Sequence, residues 1–227
     1  MTTTTSRQHS AGKTVESWEN AYTRFETPEQ EVAKFQQRLK KLGAVAWPKD
    51  ARIVEIFCGR GNGLNALERL GFVHLEGIDL SARLLSLYRG RAIVQACDCR
   101  SLPFPDQSRD VLIVQGGLHH LPSIPESLEE VLREVHRVLK DGGRFMIVEP
   151  WLTPFLKFVH FVTERPLARK ASGKIDALAT MIENERETYE QWLGQPQVIT
   201  ALVRKYFTPL QESFAWGKWS FLGVPLR

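Results

Sequence analysis

The chain has 227 residues, of which 43% are hydrophobic and 25% are charged, as is typical of a soluble globular protein with a buried core. Its net charge is only +4, and basic and acidic residues are interleaved over most of the sequence, which argues against a surface dedicated to nucleic acid. No apolar run approaches the roughly 20 residues that a membrane-spanning helix needs.

The N-terminal stretch MTTTTSRQHSAGK is polar and lacks the apolar centre of a secretory signal. We therefore expect residues 1–14 to be a disordered tail. With three cysteines and no signal, a disulfide framework is not expected, and the cytoplasm is the natural location.

Residues 27–43 carry the signals of a helix. Thr27 and Gln30 have the spacing of a capping box, Pro28 stands at the first helical position, and Gly43 can close the C-terminus. One apolar stripe predicts that this helix packs on the body of the domain; it consists of Val32, Phe35, Leu39 and Leu42.

From Arg52 to Pro150, β-prone and helical stretches alternate. Strands are predicted at 52–57, 73–80, 91–98, 109–117 and 144–150, and helices at 62–70, 81–90 and 126–143. We expect Ser123 and Glu126 to cap the last of these helices, and Gly142 and Gly143 to end it. The alternation predicts a parallel sheet covered by helices on both faces.

The remainder of the chain has a different pattern. Residues 151–206 are predicted to be mostly helical, and two aromatic-rich, β-prone runs follow, separated only by Gly217. So short a link requires antiparallel neighbours, because a parallel crossover needs a dozen or more residues. The predicted fold class is α/β, with a Rossmann-like, seven-stranded, mostly parallel sheet and an antiparallel C-terminal hairpin.

The first strand runs into EIFCGRGNG, which places Gly59, Gly61 and Gly63 within five positions. Glycines let a loop wrap closely around a ligand. A GxxxxGK[ST] phosphate loop is excluded, since no lysine and hydroxyl follow. Gly61, Gly63 and Ala66 do satisfy the dinucleotide fingerprint, and Asp79 stands near the place of a ribose-binding acid. An NAD(P)-dependent oxidoreductase and a simple strand–helix turn both remain open on this motif alone.

Two further acids distinguish these alternatives. Glu55 lies four residues before Gly59 and points an acid into the glycine crevice, where a cationic ligand is favoured over a pyrophosphate. Asp98 ends the third predicted strand. Acids at the carboxyl ends of strands one, two and three line the crevice in which open α/β sheets bind ligands.

Four stretches, VEIFCGRGNG, LEGIDLS, ACDCRSLPFPDQSRDVLIVQGGLHHLP and EVHRVLKDGGRFMIVEP, resemble class I S-adenosylmethionine-dependent methyltransferases over about residues 50–150. The resemblance is to the small-molecule branch with a methyltransferase type 11-like domain. It implies transfer of a methyl group from S-adenosyl-L-methionine to a small-molecule acceptor, with S-adenosyl-L-homocysteine as product. The chain departs from the family pattern at Phe57, where glycine is usual.

The resemblance implies the cofactor contacts. The methionine half would be surrounded by Glu55, Cys58, Gly59 and Gly61, and the reactive end would be lined by Gln115 and Gly116. Asp79 would accept hydrogen bonds from the ribose hydroxyls, with Leu80 packed on adenine. Asp98 would take the adenine amino group, and the backbone of Cys99 would face the ring.

Methyl transfer from a sulfonium needs alignment above all, and a base only when the acceptor must lose a proton. His119 and His120 follow the fourth strand, beside the expected position of the methyl group. Either histidine could act as a base, position the acceptor or hold the loop. Glu149 ends the fifth strand at the same rim, where a structural hydrogen bond is an equal alternative.

Acceptor specificity is expected from segments outside the sheet. Trp151, Phe155, Phe158 and Val162 have helical spacing and fit a substrate lid, a patch that touches a membrane surface, or a helix packed on the body. Trp18 and Tyr22 could close over the site from the other side. A basic cluster fits an anionic acceptor or a solvated face; it comprises Arg165, Arg169, Lys170 and Lys174.

We expect no metal, because Cys58, Cys97 and Cys99 do not have the spacing of a zinc site. The alternatives to a small-molecule enzyme are an RNA or protein methyltransferase and a binding protein that keeps the fold without catalysis. QGGLHHLP is not an NPPY-type motif, and no RNA-binding module is visible. We therefore expect a small-molecule partner, no nucleic acid, no stable membrane insertion, and a monomer or homodimer.

The expected organisation is one methyltransferase domain over residues 15–227. Its parts would be N-terminal helices (15–50), a cofactor-binding core (51–150), a helical insertion or substrate lid (151–206) and a closing β-hairpin (207–227).

Overall fold

A seven-stranded sheet forms the centre of the computed structural model, which describes residues 20–22 and 24–227. Its strands are β1 (Arg52–Ile56), β2 (His74–Asp79), β3 (Ile93–Ala96), β4 (Arg109–Gln115), β5 (Leu139–Pro150), β6 (Phe207–Ala215) and β7 (Lys218–Pro225). They lie in the order β3-β2-β1-β4-β5-β7-β6. Strands β1 to β5 pair in parallel, and β7 runs antiparallel to both β5 and β6. The predicted α/β fold class with its antiparallel C-terminal hairpin is confirmed.

Helices connect the strands and cover the sheet. They are α1 (Pro28–Lys41), α2 (Asn62–Arg69), α3 (Ala82–Leu85), α4 (Glu126–Val138), α5 (Pro154–Thr163), α6 (Pro166–Ala171), α7 (Gly173–Asn184), α8 (Arg186–Gly194) and α9 (Pro196–Tyr206). A short 3₁₀ helix, Leu118–His120, follows β4. The run from α5 to α9 agrees with the mostly helical segment predicted after the fifth strand.

Helix α1 begins and ends at the predicted signals. The Gln30 amide donates to Thr27 Oγ1 at 3.3 Å, and the Thr27 amide donates to Gln30 Oε1 at 3.2 Å, so the capping box is complete. Gly43 follows the helix with a φ of +83°, a conformation that favours glycine. The predicted apolar stripe of α1 is buried.

The core lies on both faces of the sheet because side chains alternate along each strand. In β1, Val54 and Ile56 face the core formed with α4, α8 and α9, whereas Ile53 faces the core formed with α1, α2 and α3. A central parallel strand buried on both faces favours apolar residues, which explains the hydrophobic run before the glycine loop; Glu55 is the exception within it.

Helix α4 begins at Glu126 as predicted, but its predicted cap and its predicted C-terminal end are wrong. Pro125 stands at the N-cap without a side-chain hydrogen bond, and Ser123 Oγ instead contacts Ser127 Oγ at 3.0 Å. The helix ends at Val138, before the glycines expected to stop it. Gly142 and Gly143 lie inside β5, next to the register shift between β4 and β5, and a Cβ at Gly143 would lie 2.9 Å from a backbone oxygen.

The predicted helix 81–90 is also too long, since α3 comprises only Ala82–Leu85. Ser81 caps its start through a 3.1 Å hydrogen bond from the Leu84 amide. Beyond the helix, Tyr88 Oη donates to Glu68 Oε1 at 2.5 Å and accepts from the Ala92 amide at 2.9 Å. These side-chain bonds hold the segment in an irregular path. Strand β3 likewise ends at Ala96, so Asp98 lies in the following loop.

Among the described residues, no helix is both long and apolar enough to cross a membrane. The predicted N-terminal tail, residues 1–14, and Trp18 lie outside the described residues.

Candidate functional site

Polar side chains gather at one edge of the sheet, where parallel strands end. Glu55 lies in β1, Asp79 ends β2, Gln115 ends β4 and Glu149 lies near the end of β5. Asp98 follows β3 by two residues. Because β1 and β4 are neighbours while the chain crosses from β3 back to β4, this edge contains the point at which the strand order reverses. Open α/β sheets bind ligands at this position.

Asp79 holds the glycine loop that follows β1. Its Oδ2 accepts from the Gly59 amide and its Oδ1 accepts from the Ser81 amide, each at 2.8 Å. Gly59 and Gly61 adopt φ values of +52° and +77°. A Cβ at Gly61 would lie 2.2 Å from the Tyr88 ring, so glycine is required there on both counts.

Phe57 also adopts a left-handed backbone, with a φ of +55°. This conformation explains why glycine is usual at that position in the family the sequence resembles. The side chain occupies space beside Gly117, where an added Cβ would lie 2.4 Å from Phe57 Cβ. The next residue, Cys58, is buried and its amide donates to the Ile78 carbonyl at 3.1 Å, so the loop still follows the sheet.

Glu55 is a buried carboxyl group with an unsatisfied oxygen. The side chain is 3% exposed, and burial raises its pKa to about 8. Gln115 Nε2 donates to Glu55 Oε1 at a long 3.4 Å, whereas Glu55 Oε2 has no hydrogen-bond partner among the described residues. A Cβ at Gly63 would lie 1.9 Å from Glu55 Oε1, so α2 starts directly against this carboxyl group. A cation in the crevice would offset the cost of its burial.

The other side of the crevice contains the residues predicted to face adenine. Asp98 binds Arg100, with an Oδ2–Nη2 distance of 2.6 Å, and this hydrogen bond lowers the pKa of the carboxyl group. Cys99 is buried, and burial raises the pKa of its thiol to about 12. Leu80, next to Asp79, is 68% exposed. An apolar side chain so exposed at the crevice can cover the face of a planar ligand.

His119 and Glu149 form a buried ion pair. Glu149 Oε2 lies 2.7 Å from His119 Nδ1, and Glu149 Oε1 accepts from the amides of Gly117 and Leu118 at 2.8 and 2.9 Å. Burial alone would lower the pKa of His119, but the hydrogen bonds and charges of Glu149 and Glu185 outweigh it and raise the pKa to about 9. The imidazole is therefore cationic at neutral pH and fixes the loop after β4.

His120 has the opposite electrostatic character. Burial and the neighbouring His119 charge lower its pKa to about 4, so its ring is neutral at pH 7. Its Nδ1 lies 3.6 Å from Glu185 Oε1, and His119 Nε2 lies 3.8 Å from Glu185 Oε2. Tyr189 packs edge-on against His119 with ring centroids 5.9 Å apart. One nitrogen of each histidine and one oxygen of Glu185 lie within 4.8 Å of one another.

Glu185 and Tyr189 were not identified from the sequence. They belong to the helical segment after β5, which carries no recognisable motif, and only the tertiary fold brings them to the histidines.

The N-terminal segment is tied to the glycine loop by Glu31 of α1. This buried carboxylate accepts hydrogen bonds from Tyr22 Oη, from Arg60 Nη2 at 3.3 Å and from Asn62 Nδ2 at 2.5 Å. The Arg60 guanidinium also lies over the Tyr22 ring, 4.5 Å from its centroid. Tyr22 therefore lies beside the loop through Glu31 and Arg60, and its predicted role of closing over the site stays a prediction.

The aromatic residues after β5 divide into two groups. Trp151 packs against Phe214 and Trp219, with ring centroids 5.2 Å from each. Phe155 is 44% exposed and contacts Trp216 on the surface. The predicted basic cluster consists of Arg165, Arg169, Lys170 and Lys174. Its member Arg169 forms ion pairs with Asp176 and Glu183.

A family model described as a methyltransferase domain matches residues 54–147. A ubiquinone/menaquinone biosynthesis C-methyltransferase UbiE from Dinoroseobacter shibae is 27% identical over 174 residues, which are 72% of this chain and 62% of the relative. A probable tRNA methyltransferase 9B from Bos taurus is 34% identical over 117 residues, which are 47% of this chain and 25% of the relative. The chain therefore spans less than two thirds of the length of these curated relatives.

Solved structures share the fold. The PH0226 protein from Pyrococcus horikoshii superposes with a TM-score of 0.66 at 20% identity, covering 90% of this chain and 96% of that one. At this level of identity the likeness concerns the fold alone.

Proposed function

We propose that the chain is a class I S-adenosylmethionine-dependent methyltransferase that transfers the methyl group to a small-molecule acceptor held between the glycine loop and the helices after β5. The match to a methyltransferase domain favours this function over the alternative of an NAD(P)-dependent oxidoreductase. The three cysteines are free thiols, which supports a cytoplasmic location.

The observation that carries the cofactor assignment is the buried, unsatisfied Glu55 Oε2 beside the glycine loop. S-adenosylmethionine supplies the methyl group as part of a sulfonium cation, and it also carries an ammonium group that a carboxylate can bind. We assign the methionine half to Glu55, Cys58, Gly59 and Gly61, with Gln115 and Gly116 at the reactive end. We assign the ribose to Asp79, and adenine to Leu80, Asp98 and Cys99.

For the acceptor side, we propose that His120 positions the acceptor rather than acting as a strong base. A ring whose pKa is lowered to about 4 is a weak proton acceptor at pH 7, but its neutral nitrogen can accept a hydrogen bond. The imidazolium of His119, held by Glu149, would orient the loop that carries it. Tyr189 packs against His119 on the same side, and we assign Trp151, which follows β5, to the apolar walls of this acceptor site as well.

These walls favour an aromatic or otherwise apolar acceptor, and the relative named for ubiquinone and menaquinone biosynthesis points in the same direction. The second candidate is an RNA acceptor, favoured by the tRNA methyltransferase relative and a pI near 9.0. The purified protein is incubated with radiolabelled cofactor and either total tRNA or one of a panel of phenols and quinols. The acceptor that becomes labelled distinguishes the two classes of acceptor.

Calorimetric titration with S-adenosylhomocysteine tests the cofactor site. We expect saturable binding to the wild type and about a hundredfold loss in Asp79→Ala, because the substitution removes a charged acceptor and releases the Gly59 amide. NAD serves as the negative ligand. The matched control is Asp106→Asn, an acid whose side chain is 74% exposed. Binding of NAD, or of neither ligand, would contradict the proposal.

The same preparation tests whether the reaction depends on a metal. We expect methyl transfer to be unchanged by EDTA, because displacement at a sulfonium methyl group needs alignment rather than a Lewis acid, and His119 Nδ1 is already bound by Glu149. Activity before and after chelation, with back-titration of Zn²⁺ and Mg²⁺, is the measurement. A loss that one of these ions restores would instead assign a metal site to His119, His120 and Glu185.

A further inference from the structure

Helix α5 exposes an aromatic face. Phe155, Phe158 and Phe161 are 44%, 63% and 52% exposed. Leu152, just before the helix, is 42% exposed, and Trp216, in the β6–β7 turn, is 75% exposed. We call these five residues the aromatic patch. Single exposed apolar residues are common, but five on adjoining segments are typical of an interaction surface.

The patch is built by fixed contacts between two segments of the chain. Thr153 caps α5 by accepting from the Leu156 amide at 3.2 Å, and it also accepts from the Gly217 amide at 3.0 Å. The Trp216 ring lies edge-on to Phe155 with centroids 5.4 Å apart. The turn and the helix therefore present their aromatic rings together.

The surrounding charge is strongly positive. Residues 151–174 contain five basic residues and one acidic residue, so this stretch alone carries +4, which is the net charge of the whole chain. Arg169 is neutralised by Asp176 and Glu183. Lys157, Arg165 and Lys170 form no ion pair among the described residues, and the Arg165 guanidinium lies 4.1 Å from the Phe161 ring centroid.

We propose that the aromatic patch docks the protein on an anionic phospholipid surface. Aromatic rings inserted at the level of the headgroups, with lysine and arginine beside them, are the usual composition of an interfacial helix. A protein partner would use the same rings but would not require unpaired positive charge around them. The patch is close in the chain to the end of β5 that carries Glu149, since α5 begins four residues after Pro150. If the proposed apolar acceptor is correct, a bilayer could deliver it there.

Vesicle co-sedimentation tests the proposal. We expect the wild type to bind vesicles of phosphatidylcholine with 30% phosphatidylglycerol, and to bind pure phosphatidylcholine weakly. The double variant Phe158→Ser/Phe161→Ser should lose at least about tenfold in partitioning. Lys157→Gln and Arg165→Gln should each lose about fivefold on anionic vesicles only. Val73→Ser is the matched control, because Val73 is 64% exposed just before β2, away from the patch.

Two readouts keep the test independent of methyl transfer. Tryptophan fluorescence should shift to shorter wavelength on anionic vesicles, and Trp216→Phe should remove the shift. Circular dichroism confirms that each variant is folded. Equal binding by wild type and the double variant overturns the proposal. Sedimentation velocity tests whether the patch instead binds a second copy of the chain. Self-association that is abolished by the phenylalanine substitutions, in a protein that does not bind vesicles, would show this.

Discussion

Replacing Glu149 with glutamine is expected to lower the free energy of unfolding by about 3–5 kcal/mol at pH 7. Glu149 is 0% exposed and lies 2.7 Å from His119 Nδ1. Glutamine keeps an oxygen for the amides of Gly117 and Leu118, so the substitution chiefly removes the charge opposite a buried imidazolium. Urea denaturation of the wild type and of Glu149→Gln measures the difference.

The same pair predicts how stability changes with pH. The pKa of His119 is raised to about 9, from an unfolded value near 6.5. The contribution of the pair is therefore complete below pH 6.5 and is lost as the pH rises through about 9. Between pH 6.5 and pH 9.5, the wild type should lose up to about 3 kcal/mol more than Glu149→Gln.

Glu185→Gln is the control for this experiment. Glu185 approaches His119 only to 3.8 Å and is 17% exposed, so its removal should cost at most about 1 kcal/mol. Equal losses from Glu149→Gln and Glu185→Gln would contradict the assignment of Glu149 as the principal partner of His119.

The gathering of acids at one edge of the sheet could be predicted because it follows from local pattern. Each apolar run that predicts a parallel strand ends on or near a polar residue, as β2 does at Asp79. Right-handed crossovers between parallel strands bring these ends to the same edge of the sheet. The close turn of the glycine loop could also be predicted from the sequence, since the left-handed φ of Gly59 and Gly61 suits glycine better than other residues.

The partners of the histidines could not be predicted in this way. Glu185, between α7 and α8, and Tyr189, in α8, lie more than 60 residues after His120, in a segment whose sequence indicates only amphipathic helices. Similarly, Glu31 looks like an ordinary first-turn acid of α1, and only its burial against Arg60 and Asn62 distinguishes it. Long-range contacts of this kind depend on how helices pack, which one sequence does not specify.

The end of α4 illustrates the same limit at short range. The pair Gly142–Gly143 is a common helix stop, yet Leu139 already has an extended backbone because it pairs with Arg109 of β4. Strand pairing outweighed the local signal, and the glycines lie at the register shift between β4 and β5 instead.

The affinity for S-adenosylhomocysteine is expected to rise with pH between about pH 6 and pH 7.5, by a factor that approaches ten per pH unit. Burial raises the pKa of Glu55 to about 8, so the free protein holds a proton on this carboxyl group over most of that range. A bound ammonium group favours the ionised form. Binding must therefore release the proton, and affinity increases as the solution takes it up more readily.

Glu55→Gln should abolish this pH dependence and weaken binding about 10- to 100-fold, since a hydrogen bond to a charged group contributes roughly 1.5–3 kcal/mol. Calorimetry in two buffers of different ionisation enthalpy counts the protons released, and Asp106→Asn is the control for loss of an exposed acid. A variant Glu55→Gln that keeps the wild-type pH slope would assign the proton to another group. Failure of the ligand to bind at any pH would instead contradict the cofactor site itself, so the two failures are distinguishable.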